Sequence, residues 1–354
     1  MSRFFSRKYE RLIPYVPGEQ PRDRQFVKLN TNESPFPPSP KAIEAAKREA
    51  ERLQLYSDPE ARLLREKLAA LCNVTPEQVI VTNGSDEVLN FAFMAFCDAN
   101  RPAVFPDVTY GFYPVFANVN GVPYREIPLL DDFSVDVPAL CRTRGTVFLA
   151  NPNAPTGIAL PRDTVETILR AHPDEMVIVD EAYVDFGAES CLPLVEKYEN
   201  LLVTQTFSKS RSMAGARLGF GVGQVAVIRD LETLRNSTNP YNVNRMTLAA
   251  GVGALEDEDY TRANCDTVVQ NRAFTATELE KLGFEVIPSS ANFLFVRHPH
   301  VGGANFYRSL REKGVLVRHF ATARLQDYNR VTVGSREQME TLLGATREIL
   351  EELK

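Results

Sequence analysis

Little in this chain points to a membrane, a metal or a disulfide. The apolar-rich run from Val88 to Cys97 is too short to span a bilayer and is broken by Asn90. The opening stretch, Met-Ser-Arg-Phe-Phe-Ser-Arg-Lys-Tyr-Glu, has neither a long apolar core nor a small-residue cleavage pattern, so no signal peptide is expected. The five cysteines, at 72, 97, 141, 191 and 265, are scattered, odd in number and without Cys-x-x-Cys spacing. They argue against a disulfide framework or a zinc site and fit a reducing cytoplasm. The four histidines (172, 298, 300 and 319) lack metal spacing, and His298 with His300 reads as part of a surface loop, so no metal is expected. A net charge of −6 argues against a broad nucleic-acid surface but leaves room for a local basic pocket that takes a phosphorylated small molecule. There is no P-loop. The nearest match to a dinucleotide fingerprint, Gly219-Phe220-Gly221-Val222-Gly223-Gln224, lacks the third glycine and the following acid. No internal repeat or low-complexity segment is present.

With 354 residues, 44% apolar and 24% charged, the chain has ample core for two domains, or for one large α/β domain with an appendage. Residues 1–40 are rich in proline (Pro14, Pro17, Pro21, Pro35, Pro37, Pro38 and Pro40), which excludes a continuous helix and predicts an extended arm lying on another surface. Residues 41–54 read as an amphipathic helix with Ile43, Ala46 and Leu53 on one side, and 60–72 as a second helix. From there, short apolar runs alternate with helical segments: Val79-Ile80-Val81-Thr82, Ala103-Val104-Phe105, Val147-Phe148-Leu149, Val177-Ile178-Val179 and Leu202-Val203-Thr204. That alternation predicts an α/β domain with a mostly parallel central sheet sandwiched by helices. The last hundred residues predict a smaller α+β domain. It has a helix at 270–282, strands at Phe293–Val296, Val315–Val317 and Arg330–Val333, and a helix from 336 to about 353 opened by a capping box of Ser335 and Gln338. The expected division is an arm at 1–40 with part of the small domain, a large domain at 41–255 and a small domain at 256–354.

Chemistry gathers at the ends of the predicted strands. Asn83-Gly84-Ser85-Asp86 joins a strand to a helix, where backbone amides suit a phosphate. Asp180 ends a strand. Lys209 follows another, in Thr206-Phe207-Ser208-Lys209-Ser210, and Arg217 lies eight residues further on. Singly, each has an ordinary reading: a turn, an acidic loop anchor, a solvated lysine. The spacing of Asp180, Lys209 and Arg217 makes the set specific, because ligands in open α/β sheets sit beyond the carboxyl ends of the strands. An amine for an aldehyde, a carboxylate for a ring nitrogen, and an arginine fork with the Thr206 and Ser208 hydroxyls for a phosphate are what pyridoxal phosphate requires.

These residues resemble the fold-type I pyridoxal-phosphate enzymes, the aspartate aminotransferase superfamily, and within it the histidinol-phosphate aminotransferases. The stretches that carry the resemblance span nearly the whole chain. They are Pro14-Tyr15-Val16-Pro17-Gly18, Leu29-Asn30-Thr31-Asn32-Glu33-Ser34-Pro35, Tyr56-Ser57-Asp58-Pro59, Asn83 to Glu87 and Thr109-Tyr110-Gly111-Phe112-Tyr113. Asn151-Pro152-Asn153-Ala154-Pro155-Thr156-Gly157, Asp180-Glu181-Ala182-Tyr183, Thr206 to Lys209, Pro240 to Asn244 and Arg330 to Arg336 complete the set.

The resemblance implies a catalytic set of Lys209, Asp180 and Tyr183. Lys209 would carry the cofactor and move the substrate's α-proton, Asp180 would pair with the ring nitrogen, and Tyr183 would hydrogen-bond the ring oxygen. It further implies that Tyr110 stacks on the ring and that Ser85, Asp86, Thr206, Ser208 and Arg217 hold the cofactor phosphate. Tyr56 would reach the phosphate bound by the other subunit of a homodimer. Tyr15, Asn32, Arg318 and Arg330 would bind substrate. Where such chains usually carry asparagine before Pro-Thr-Gly, this one has Ala154, so either Asn153 takes over the ring-oxygen bond or Tyr183 makes it alone. The implied reaction exchanges an amino group between L-histidinol phosphate with 2-oxoglutarate and imidazole-acetol phosphate with L-glutamate. An aromatic amino-acid transaminase and a phosphothreonine decarboxylase on the same fold are the alternatives. A non-catalytic regulator is disfavoured by the intact Lys209.

Overall fold

The computed structural model describes residues 2–10, 12–21 and 24–352. Positions 1, 11, 22 and 23 of the expected arm, and position 353 of the expected last helix, lie outside the described residues.

Seven strands form the large sheet. Their spatial order is Val79–Thr82, Gly219–Gly223, Leu201–Thr206, Val177–Asp180, Thr146–Ala150, Ala103–Pro106 and Tyr124–Ile127. Gly219–Gly223 runs antiparallel to both of its neighbours, and the other pairings are parallel. The apolar strands are buried on both faces because successive side chains point opposite ways. Val177 and Val179 enter one core with Val147, Leu149, Leu201 and Val203. Ile178, Phe148 and Leu202 enter the other. The helices Arg62–Cys72 and Arg162–Ala171 cover the first face, and Ser85–Phe96, Tyr113–Asn120 and Val225–Thr238 cover the second.

The first expected helix differs from its sequence reading. It spans Pro40–Ala50, capped by the Ser39 hydroxyl, and buries Ala42 and Ala45, while Ile43 and Leu53 stay exposed. The reason is close approach to the helix Arg245–Leu255, where a methyl group added at Gly253 would lie 2.5 Å from the Lys41 carbonyl oxygen. Only small side chains fit that contact, so the larger apolar residues are left outside.

A second body holds the antiparallel sheet Arg318–His319, Asn329–Thr332, Phe293–Arg297, Glu285–Ile287. The helices Glu258–Lys281, Gly303–Glu312 and Arg336–Glu351 pack on it around a separate core. The helix expected at 270–282 therefore begins much earlier, at Glu258. The Ser335–Gln338 capping box is formed, with the Ser335 amide donating to Gln338 Oε1 at 2.9 Å. The arm is stitched to this body. Val27–Lys28 pairs in parallel with Val315–Leu316, and Leu29 bridges Leu316 and Thr332 through backbone bonds of 2.8 and 2.9 Å.

Candidate active site

The site forms where the large sheet's strands end. Ala150, Asp180 and Thr206 close three adjacent strands and line one cleft with Ser85, Asp86, Tyr110, Tyr183, Ser208, Lys209 and Arg217. Two glycines build its floor. Gly84 holds φ at +79°, and a methyl group added at Gly219 would lie 2.3 Å from the Ser85 nitrogen. The antiparallel strand can therefore press against the first turn of Ser85–Phe96, whose N-terminus carries no side-chain cap and presents free amides to the cleft. The Thr206 hydroxyl accepts from the Ser208 amide at 3.1 Å. Arg217, at φ +57°, donates to Asp86 Oδ2 at 2.9 Å, and Tyr110 donates to Asp86 Oδ1 at 2.8 Å. The Asp86 carboxylate thus orients both an arginine and an aromatic ring.

Asp180 is buried. It accepts from the Ala182 amide at 3.2 Å and from the Tyr113 hydroxyl at 3.3 Å. Burial, reinforced by the charge of Asp86, pushes its carboxyl up to about 7. Lys209 Nζ lies 3.3 Å from the Thr31 carbonyl oxygen and 5.8 Å from the centre of the Tyr183 ring. Withdrawal from water, then the Arg330 charge, brings its ammonium down to about 8. A lysine and a carboxylate both brought toward neutrality in one cleft are the kind of perturbed pair that gathers at functional sites.

A second cleft of about 510 Å³ shares Thr31, Tyr110, Ala154, Tyr183 and Lys209 with the first, and brings in Tyr15, Asn32, Arg318, Arg324 and Arg330. Tyr15 stacks on Phe112 at 4.4 Å, which carries the arm across to the large domain. Arg318 donates to the carbonyls of Val16 and Pro17. Arg330 donates to the Asn30 carbonyl at 3.1 Å, while its buried Nε has no partner among the described residues. An orphaned buried guanidinium N–H beside an open cleft fits an incoming anion.

Two expected residues are not brought to the cleft. Asn153 lies beneath the loop. Its amide donates to the Val108 carbonyl and the Thr156 hydroxyl, and its oxygen accepts from Thr109, so neither side-chain N–H is left to donate to a ligand. Ala154 faces the cleft in its place. Tyr56 is 79% exposed and stacked on Tyr241 at 4.4 Å, away from its own chain's cleft. Some residues in the site were not assigned from the sequence, Thr31, Tyr113 and Arg324 among them. Tyr113, whose buried hydroxyl needed a partner, was visible only as part of a motif. Arg324, held by Asp107 and the Leu129 carbonyl, sits in a polar loop with no pattern to mark it. Among the described residues no group of three His, Cys, Asp or Glu side chains could hold a metal, and no helix is long and apolar enough to cross a membrane.

The donor set suits a phosphorylated aldehyde with a basic ring nitrogen. It offers an amine of lowered basicity, a buried carboxylate, and an uncapped helix terminus flanked by two hydroxyls and a guanidinium. Residues 24–345 match the model of the family described as aminotransferase class I and II. The chain belongs to the class I and II aminotransferases. The superfamily resemblance read from the motifs is thereby borne out. This aminotransferase is 50% identical to histidinol-phosphate aminotransferase 1 of Bradyrhizobium diazoefficiens, over 99% of this chain and 100% of the relative. It is 49% identical to histidinol-phosphate aminotransferase 2 of Dechloromonas aromatica, over 99% of each chain. The crystal structure of histidinol-phosphate aminotransferase from Sinorhizobium meliloti in complex with pyridoxal-5'-phosphate shares the fold. Its TM-score is 0.89 at 24% identity, over 100% of this chain and 99% of that one.

Proposed function

We propose that this aminotransferase is pyridoxal 5'-phosphate-dependent and exchanges an amino group between L-histidinol phosphate with 2-oxoglutarate and imidazole-acetol phosphate with L-glutamate. We infer that it works as a cytoplasmic homodimer. The observation that carries the reading is the continuity of the two clefts: Lys209, Tyr110 and Tyr183 line both, one ending in the uncapped helix terminus and the other in Arg318 and Arg330. The names of the relatives support the same substrate.

When bound, the cofactor supplies an aldehyde for amine exchange and a ring that withdraws electrons. Lys209 would provide the anchoring amine, and its lowered basicity leaves Nζ able to take the substrate's α-proton and return it near neutral pH. Asp180, held by Tyr113 and the Ala182 amide, would face the ring nitrogen. The Ser85 and Asp86 amides with Thr206, Ser208 and Arg217 would hold the phosphate, and Tyr110 would lie on the ring. Tyr183 would donate to the ring oxygen without help from Asn153. Arg318 and Arg330, with Tyr15 beside them, would receive the anionic end of the substrate: a phosphate in one half-reaction, a carboxylate in the other. Asn32, expected among these residues, lines the cleft but has its polar groups taken by Thr332, Asn292 and Tyr183. The exposure of Tyr56 supports a role across a subunit boundary, and five free cysteines fit a reducing compartment.

The test is the absorbance spectrum of the cofactor-loaded protein as L-histidinol phosphate, L-phenylalanine and O-phospho-L-threonine are added separately. Conversion of the visible band by histidinol phosphate at the lowest concentration is expected. Equal conversion by phenylalanine would make the chain an aromatic or broad-specificity transaminase, and carbon dioxide release from phosphothreonine would make it a decarboxylase. Lys209→Ala should lower turnover by at least about a thousandfold. Full turnover in that variant sinks the assignment.

A further inference from the structure

Asn32 is 1% exposed and holds φ at +56°, a left-handed conformation that asparagine tolerates. All of its polar groups are engaged. Its backbone amide donates to Thr332 Oγ1 at 2.9 Å, and the Thr332 hydroxyl donates back to Asn32 Oδ1 at 3.0 Å. Its carbonyl accepts from the Asn292 amide at 3.0 Å. Its Nδ2 donates to the Tyr183 hydroxyl oxygen at 3.0 Å. The Thr332 pair fixes which way the amide points. If the amide turned over, the buried Thr332 proton would lose its acceptor and an amide oxygen would face Tyr183.

We propose that Asn32 is a positioning residue: its amide N–H occupies the Tyr183 hydroxyl oxygen, turning the Tyr183 proton into the cleft, and it ties that hydroxyl to the strand that carries Arg330. This role rests on the cofactor reading proposed above. A phenol has one proton to give. Accepting from Asn32 leaves that proton free for the ring oxygen, whereas an acceptor in the place of Nδ2 would draw it away. Ala154 makes the matter sharper. The loop supplies no amide side chain to the cleft, and both side-chain N–H groups of Asn153 are taken elsewhere, so among the described residues the bond to the ring oxygen falls to Tyr183. The charges facing Tyr183 are Arg330, Asp180 and Asp86, with Lys209 over its ring. Thr332 and Arg330 share the strand Asn329–Thr332. Thr332, on the strand that carries Arg330, is therefore two hydrogen bonds from the hydroxyl that would hold the cofactor's oxygen.

The test uses the cofactor-loaded protein and the pH midpoint of its visible absorbance change. A ring oxygen deprived of its donor is more negative and holds the neighbouring proton more tightly, so the midpoint should rise. Asn32→Asp keeps the Thr332 bond but presents an acceptor to Tyr183. Asn32→Gly removes the amide with no charge and no backbone strain. Each is expected to raise the midpoint by roughly one unit, the scale of one hydrogen bond. In a Tyr183→Phe background, Asn32→Gly should add nothing. An unmoved midpoint, or a shift that persists without the Tyr183 hydroxyl, overturns the role. If neither Asn32 variant folds, Thr332→Val carries the same test by freeing the amide to turn. A parent protein with no visible band overturns the reading of Lys209 and this role together. A normal band with an unmoved midpoint overturns this role alone.

Discussion

Asp180 bears the cost of the site when nothing shares its charge. Its carboxyl rises from 3.8 to about 7, chiefly through burial. A raised carboxyl penalises the ionised form in the folded state. The penalty is complete above about pH 7 and absent below about 3.8, so the stability of the cofactor-free protein falls as pH rises through that window. Asp180→Asn should then stabilise the cofactor-free protein by a few kcal/mol at pH 8, with the gain fading toward pH 4. Urea unfolding at both pH values checks this, and an equal gain at both would be the wrong sign of dependence. The same variant should retain cofactor poorly. Lys209, Asp180 and Arg217 were legible in the sequence through their mutual spacing, since each alone has an ordinary structural reading. The place of Asn153 was not legible, since its three hydrogen bonds join residues from two separate loops. Nor was the placement of Asn32, whose partners lie 151 and 300 residues away.

At the scale of elements, the strand Gly219–Gly223 is the instructive case. Its glycines and short length carry no strand signature, and the sequence offers it only as a failed fingerprint. In the fold it separates Val79–Thr82 from Leu201–Thr206, and its glycines are what allow contact. A Cβ at Gly221 would meet Val88 at 3.0 Å, and one at Gly219 would collide with the Ser85 backbone at 2.3 Å. Gly219→Ala is therefore expected to push the first turn of Ser85–Phe96 away from Thr206 and Ser208. Equilibrium dialysis should show cofactor affinity falling by about tenfold or more, with the far-ultraviolet spectrum preserved. Unchanged affinity would mean that the helix terminus is not the phosphate seat. The apolar strands and the Ser335 cap were readable because each rests on local chemistry. The start of Glu258–Lys281 was not, since its first turns have no side-chain cap and present mainly polar residues.

Across the whole molecule, several large apolar side chains are left exposed. Ile43, Leu53, Leu55, Tyr56, Leu63 and Tyr241 are all exposed, and Ile43 borders a groove lined by Ala42, Ala46, Met213, Met246 and Ala250. Such a surface favours the proposed homodimer. Sedimentation equilibrium should give twice the 39.7 kDa chain mass. A monomer at micromolar concentration would remove Tyr56 from any shared site.

The stitching of the arm also sets an order of events during synthesis. Leu29, Asn30 and Asn32 are translated early, yet their partners are Leu316, Arg330 and Thr332. The lysine, the carboxylate and the helix terminus can come together once the large sheet closes at Gly223. The anion-receiving half, with the Asn32 bond to Thr332, must wait for about a hundred more residues to leave the ribosome. On this order a nascent chain would hold the seat for the proposed cofactor before it has a substrate cleft.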